Sequence, residues 1–137
     1  MSFTTTVALG GLNGTTGIRI AGPGADDLTG SSVASAGDVN GDGFADVIIG
    51  GWGANPNGAN SGASYVLFGK AGGWTSTINL STLNGTTGFR LDGVAANDES
   101  GTSVASAGDV NGDGFADLIV GAPFADPNGT NSGSSYV

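Results

Sequence analysis

The segment from Ala34 to Asp46, Ala-Ser-Ala-Gly-Asp-Val-Asn-Gly-Asp-Gly-Phe-Ala-Asp, recurs without change as Ala105–Asp117. Exact internal repetition constrains a fold more than any single motif, because each copy must form one unit and bury its apolar surface against the other. The same offset carries Leu12–Gly17 onto Leu83–Gly88, Pro56–Gly58 onto Pro127–Gly129, and Tyr65-Val66 onto Tyr136-Val137. About 40 of the 66 aligned pairs are identical. The 137 residues read as one module of two copies with a period of 71 residues, about 1–66 and about 67–137, without a separate linker.

Glycine fills 28 of the 137 positions, too many for a helical bundle, in which each interior Gly costs about 1 kcal/mol. The glycines follow no three-residue period, so collagen is excluded. No apolar run reaches the ~20 residues of a membrane-spanning helix, and no basic segment followed by an apolar one marks a secretory signal. What remains is a series of short strands divided by turns. In the second copy, Ser103–Ala107 is a run of small residues, followed by an acidic loop over 109–117 and then Leu118-Ile119-Val120. That apolar run is too short for a helix and reads as a strand buried on both faces. Pro123 and the turn Asp126–Gly129 end it. A third strand begins at Ser135 and is seen at greater length as Ala63–Phe68 in the first copy. The fourth is the alternating Gly88-Phe-Arg-Leu91, matched by Gly17-Ile-Arg-Ile20. Four-stranded units repeated in tandem predict an all-β chain of two antiparallel β-propeller blades. An eight-stranded sandwich is the alternative, and the repetition and the doubly buried second strand speak against it.

The acidic loops are Asp38-Val-Asn40-Gly-Asp42-Gly43-Phe44-Ala-Asp46 and Asp109-Val-Asn111-Gly-Asp113-Gly114-Phe115-Ala-Asp117. Side-chain oxygens fall at positions one, three, five and nine. Ca²⁺ takes 6–8 oxygens, and alternate positions of a tightly curled loop converge on one point. Gly43 and Gly114 permit the reversal. Phe44 and Phe115 have no side-chain oxygen, so their backbone carbonyls are the expected ligands. Mg²⁺ suits the loop less well, since it demands a strict octahedron. Asp, Asn and Gly also populate plain turns, yet six of the twelve acids sit in these two loops, where they repel one another unless a cation intervenes. Two Ca²⁺ per chain are expected. An EF-hand or a dockerin would carry an acid at position twelve and a helix beyond it; Ile49 and Val120 stand there, on strand-like flanks.

Gly37–Gly50 and Gly108–Pro123 resemble the FG-GAP repeats of the integrin α-subunit β-propeller. The resemblance implies that each loop joins the first and second strands of a blade and binds Ca²⁺. It implies as ligands Asp38, Asn40, Asp42, the Phe44 carbonyl and Asp46, and Asp109, Asn111, Asp113, the Phe115 carbonyl and Asp117. It also implies an extracellular or cell-surface setting. Two departures affect local packing rather than ligands. Thr29-Gly30 and Ser100-Gly101 stand where the family has Phe-Gly, and Gly50-Gly-Trp52 replaces Gly-Ala-Pro in the first copy.

The formal net charge is −9, with Arg19, Arg90 and Lys70 the only cations. Such a chain is a poor partner for nucleic acid or an anionic membrane. Without His or Cys it lacks the commonest general base and thiol chemistry. A glycosidase would have to draw its two carboxylates from Asp26, Asp27, Asp92, Asp98, Glu99 and Asp126. The Gly-rich segments 11–17 and 22–24 match no phosphate loop and read as turns. Trp52 and Trp74 are candidate sugar-stacking residues or plain packing residues. Asn-Gly-Thr at 13–15, 84–86 and 128–130 fits the glycosylation sequon but is common by chance in so biased a composition. The expected function is therefore a non-enzymatic, calcium-binding scaffold for structure or adhesion, with a carbohydrate-binding propeller as the alternative.

The starting Met1-Ser2 and the end at Val137 read as the bounds of a piece excised from a longer propeller. The second blade has three strands, from 101–137, and no fourth, while residues 17–20 precede the first blade unused. Head-to-tail pairing, in which 17–20 complete a neighbour's blade, would close a homotrimer of six blades or a homotetramer of eight.

Overall fold

Strands form where β-branched and aromatic residues alternate with short Gly- and Asn-rich turns. The computed structural model describes residues 6–137, so the Met1-Ser2 start lies outside the described residues. The strands are β1 (Arg19–Ala21), β2 (Ser32–Gly37), β3 (Asp46–Gly51), β4 (Ala63–Leu67), β5 (Thr77–Asn79), β6 (Gly88–Asp92), β7 (Ser103–Gly108), β8 (Asp117–Ala122) and β9 (Ser134–Tyr136). Two single 3₁₀ turns, Leu9–Gly11 and Leu80–Thr82, are the only helical elements among the described residues.

The first blade is one antiparallel sheet in the order β2-β3-β4-β6, the four strands that the sequence predicts, its outermost strand coming from the second repeat. The second forms β7-β8-β9 in the same register. In both, a bulge between the first strand's Ser and Gly (Ser35/Gly37, Ser106/Gly108) bends the chain into the acidic loop. Two antiparallel sheets of like register, built from the repeated strands, are the two β-propeller blades that the sequence predicts.

The blades stack face to face. Ala34, Ala36, Ile48 and Val66 form one face of the first blade and pack against Val104, Leu118 and Val120 of the second. Small residues in β2 let the sheets approach closely, and Phe89 and Leu91 of the outer strand β6 close the cluster's rim. Phe68 meets Phe89 edge-on at 5.8 Å. Burying side chains of the size of Ile48 and Val66 contributes about 1.5–3 kcal/mol each. The opposite face of the first blade holds Tyr65 with Ala54, Ala63 and Leu80, and Ile20 and Leu83 pack against it.

One strand differs from expectation. Residues 17–20 read as a strand without use inside the chain; the strand is Arg19–Ala21, and it pairs in parallel with β5, Ile20 opposite Ile78. Ile20 is thereby drawn onto the Tyr65 cluster. The reason is non-local: β5 is a three-residue segment in the connection from β4 to β6, and the packing of Ile20 on the Tyr65 cluster decides the pairing rather than any local pattern.

Candidate metal centre

Both acidic loops hang between the first and second strands of their blades, β2–β3 and β7–β8. Each curls around the carboxylate at position one. Asp38 Oδ1 accepts from the Gly41 and Asp42 amides at 2.8 and 3.1 Å, and its Oδ2 accepts from Gly43 N at 2.9 Å. Asn40 Oδ1 accepts from Asp42 N at 3.1 Å, and Asp42 Oδ1 accepts from Phe44 N at 2.9 Å. Asn40 Nδ2 reaches Asp42 Oδ2 at 2.9 Å. The second loop repeats the pattern. Asp109 takes the amides of Gly112, Asp113 and Gly114, Asn111 takes Asp113 N, and Asp113 takes Phe115 N. Gly43 and Gly114 stand at φ +86° and +92°, the left-handed region where a Cβ is costly. Backbone amides thus draw Asp38, Asn40 and Asp42 together in one loop, and Asp109, Asn111 and Asp113 in the other.

Position nine is engaged differently. Asp46 is 1% exposed; its Oδ2 accepts from Val39 N at 2.8 Å and its Oδ1 from Gly69 N at 2.7 Å. It ties the loop's start to the segment after β4. Asp117 accepts only the first of these bonds, from Val110 N at 2.8 Å. Phe44 and Phe115 lie at the turn of each loop with exposed rings. Among the described residues no three acidic side chains stand together closely enough to hold a metal by carboxylates alone. The donor set nonetheless fits a hard cation: each carboxylate or amide oxygen has two lone pairs, so an oxygen oriented by one N–H can still coordinate.

The loops also touch each other, which no sequence pattern revealed. Ala116 N donates to the Asp38 carbonyl at 3.1 Å. A Cβ on Gly41 would collide with the Phe115 ring, so that ring lies against the first loop. The sequence counterpart of this contact is the apolar Phe115-Ala116 step inside the acidic loop.

Elsewhere, Arg90 Nε and NH2 reach the two carboxylate oxygens of Asp92 at 2.5 and 3.0 Å. The Asp92 hydrogen bond pushes the Arg90 pKa up, but both groups are well exposed and the pair contributes little to stability. Lys70 Nζ lies 4.8 Å from the Trp74 ring centre, beside a cleft of about 520 Å³ lined by Asp42, Trp74, Thr75, Thr77 and Thr86. Trp52 is half-buried after β3. No helix among the described residues is long and apolar enough to cross a membrane.

Comparison with known proteins locates the same segments. The FG-GAP repeat family model matches residues 29–67 and 100–137. Human (Homo sapiens) integrin alpha-6 is 34% identical over 90 residues, covering 65% of this chain and 7% of the relative. Integrin alpha-7 of Rattus norvegicus is 39% identical over 88 residues, 64% of the chain and 7% of the relative. Integrin alpha-E of Mus musculus is 37% identical over 98 residues, 68% and 8%. The chain thus spans less than a tenth of the length of these relatives. With each matched segment taking in three strands of a blade and its acidic loop, the chain belongs to the FG-GAP repeat family.

Proposed function

We propose that this chain is a calcium-stabilised propeller module that serves as a structural or adhesion scaffold, at the cell surface or outside the cell, and not as a catalyst. One observation carries the reading: two loops in separate blades orient the same three side chains by the same amide hydrogen bonds. Asp38, Asn40 and Asp42, and Asp109, Asn111 and Asp113, would hold one Ca²⁺ each, with the Phe44 and Phe115 carbonyls and the carboxylates of Asp46 and Asp117 completing the set. Bound calcium supplies the positive charge that relieves three aspartates in one loop. Two ions would bring the formal net charge from −9 to −5. Relatives named integrin alpha support the scaffold reading.

The test is thermal unfolding in excess calcium and in EDTA. Free Ca²⁺ at about a hundred times Kd adds about 2.7 kcal/mol per site when the unfolded chain does not bind it. A clear rise in Tm with calcium supports the reading, and superimposable melts overturn it. Carbohydrate binding is the second reading, favoured by the cleft in which Trp74 lies beside Asp42 and five threonines. Binding on a glycan array that is lost in Trp74→Ala but kept in Trp52→Ala would establish it at that cleft.

A further inference from the structure

The cleft beside Trp74 is built within one complete blade. All of its lining residues fall between Asp42 and Thr87, in the loop from β2 to β3, at the end of β4 and in the connection from β4 to β6. One wall is the acidic loop, which presents Asp42; the other carries Lys70, Trp74 and five threonines. The two walls are tied together. Asp46, at position nine of the loop, accepts from Gly69 N at 2.7 Å, and a Cβ on Gly69 would run into the Ala45 carbonyl and the Phe44 side chain. The loop therefore fixes the backbone next to Lys70.

Twelve acids face three cations in this chain, yet Lys70 has no carboxylate partner: Arg90–Asp92 is the only ion pair among the described residues. The Lys70 ammonium instead lies 4.8 Å from the centre of the Trp74 ring, drawn by the negative face of the indole. A neutral sugar that stacks on that face competes with the ammonium. A sugar bearing a carboxylate gives the ammonium a stronger, charge-assisted hydrogen bond and leaves the ring face to the sugar. The hydroxyls of Thr77 and Thr86 also line the cleft, and neither makes a hydrogen bond among the described residues. Asp42 opposes an anion here. The first loop carries three aspartates, and one Ca²⁺ would cancel two of those three charges and remove most of the repulsion.

We propose that this cleft binds an acidic saccharide, a uronate, with Lys70 on its carboxylate and Trp74 against its ring, and that calcium in the first loop strengthens the binding. The proposal rests on carbohydrate binding at this cleft, the second reading above, and adds the charge of the ligand and its dependence on the metal. Coupling between two sites is reciprocal. A uronate in the cleft therefore tightens calcium in the first loop by the factor by which calcium tightens the uronate.

The test titrates the chain, in calcium, with a tetrasaccharide of alternating glucuronate and N-acetylglucosamine and with its methyl ester, which keeps the rings and removes the charge. The acid should bind about tenfold tighter than the ester, the effect of one hydrogen bond to a charged group. Lys70→Met, at an exposed position, should erase that difference and keep the parent's circular dichroism. A second titration, of calcium with and without saturating tetrasaccharide, reads the coupling: one calcium site should tighten about tenfold with the acid and stay unchanged with the ester. Equal affinity for acid and ester, or a difference that survives Lys70→Met, overturns the proposal while carbohydrate binding stands. Calcium affinities that ignore the acid overturn the dependence on the metal. No binding of the acid overturns the proposal as well, and the glycan array then decides the carbohydrate reading by itself.

Discussion

The Ser32 hydroxyl donates to the carbonyl of Gly101 at 2.7 Å, stitching the innermost strand of the first blade to the entrance of the second. Gly50, the pairing partner of Ser32, faces the same carbonyl, and a Cβ there would be driven into it. The obstacle is backbone and cannot swing aside. Gly50→Ala should therefore destabilise the chain by about 1–3 kcal/mol, the cost of overpacking. Ser32→Ala should cost about 1 kcal/mol, one hydrogen bond. Urea unfolding of both variants checks the order, and a Gly50→Ala variant as stable as the parent would contradict the close approach of the blades.

Position nine of the two loops should behave unequally even without metal. Asp46 holds two amides in a buried site, and Asp117 holds one in a more open site. Hydrogen bonds to a charged group contribute about 1.5–3 kcal/mol each. In EDTA, Asp46→Ala should cost about 3 kcal/mol or more and Asp117→Ala about half as much. Equal losses would mean that the Gly69 bond contributes nothing.

The strands of the first blade were legible because their apolar runs are bounded by Gly, Pro and Asn, and because the repeat shows each of them twice. The loops were legible for the same reason: Asp-x-Asn-x-Asp-Gly fixes both the curl and the side chains that it gathers. Two features were not. The β1–β5 pairing joins segments of three residues far apart in the chain, with no local signal. The bonds of Asp46 to Val39 and Gly69 turn on where the chain passes after β4, which spacing inside the loop does not contain.

Burial pushes the Tyr65 phenol above its ordinary pKa of 10.0, and the Asp27 carboxylate pushes it further, against an opposing pull from Arg90. The folded value lies above the unfolded one, so the associated stability is complete below pH about 10 and is lost as pH rises through the folded value. Denaturant midpoints of the parent chain and of Tyr65→Phe should diverge on going from pH about 9 to about 11, with the parent losing more. Parallel losses would remove Tyr65 from the cause.

Calorimetric titration of Ca²⁺ into the EDTA-stripped and desalted chain tests the central claim most directly. Two ions should bind per chain, and Asp42→Ala should leave one. A chain that circular dichroism shows to be folded, yet takes up no calcium at millimolar concentration, would contradict the account.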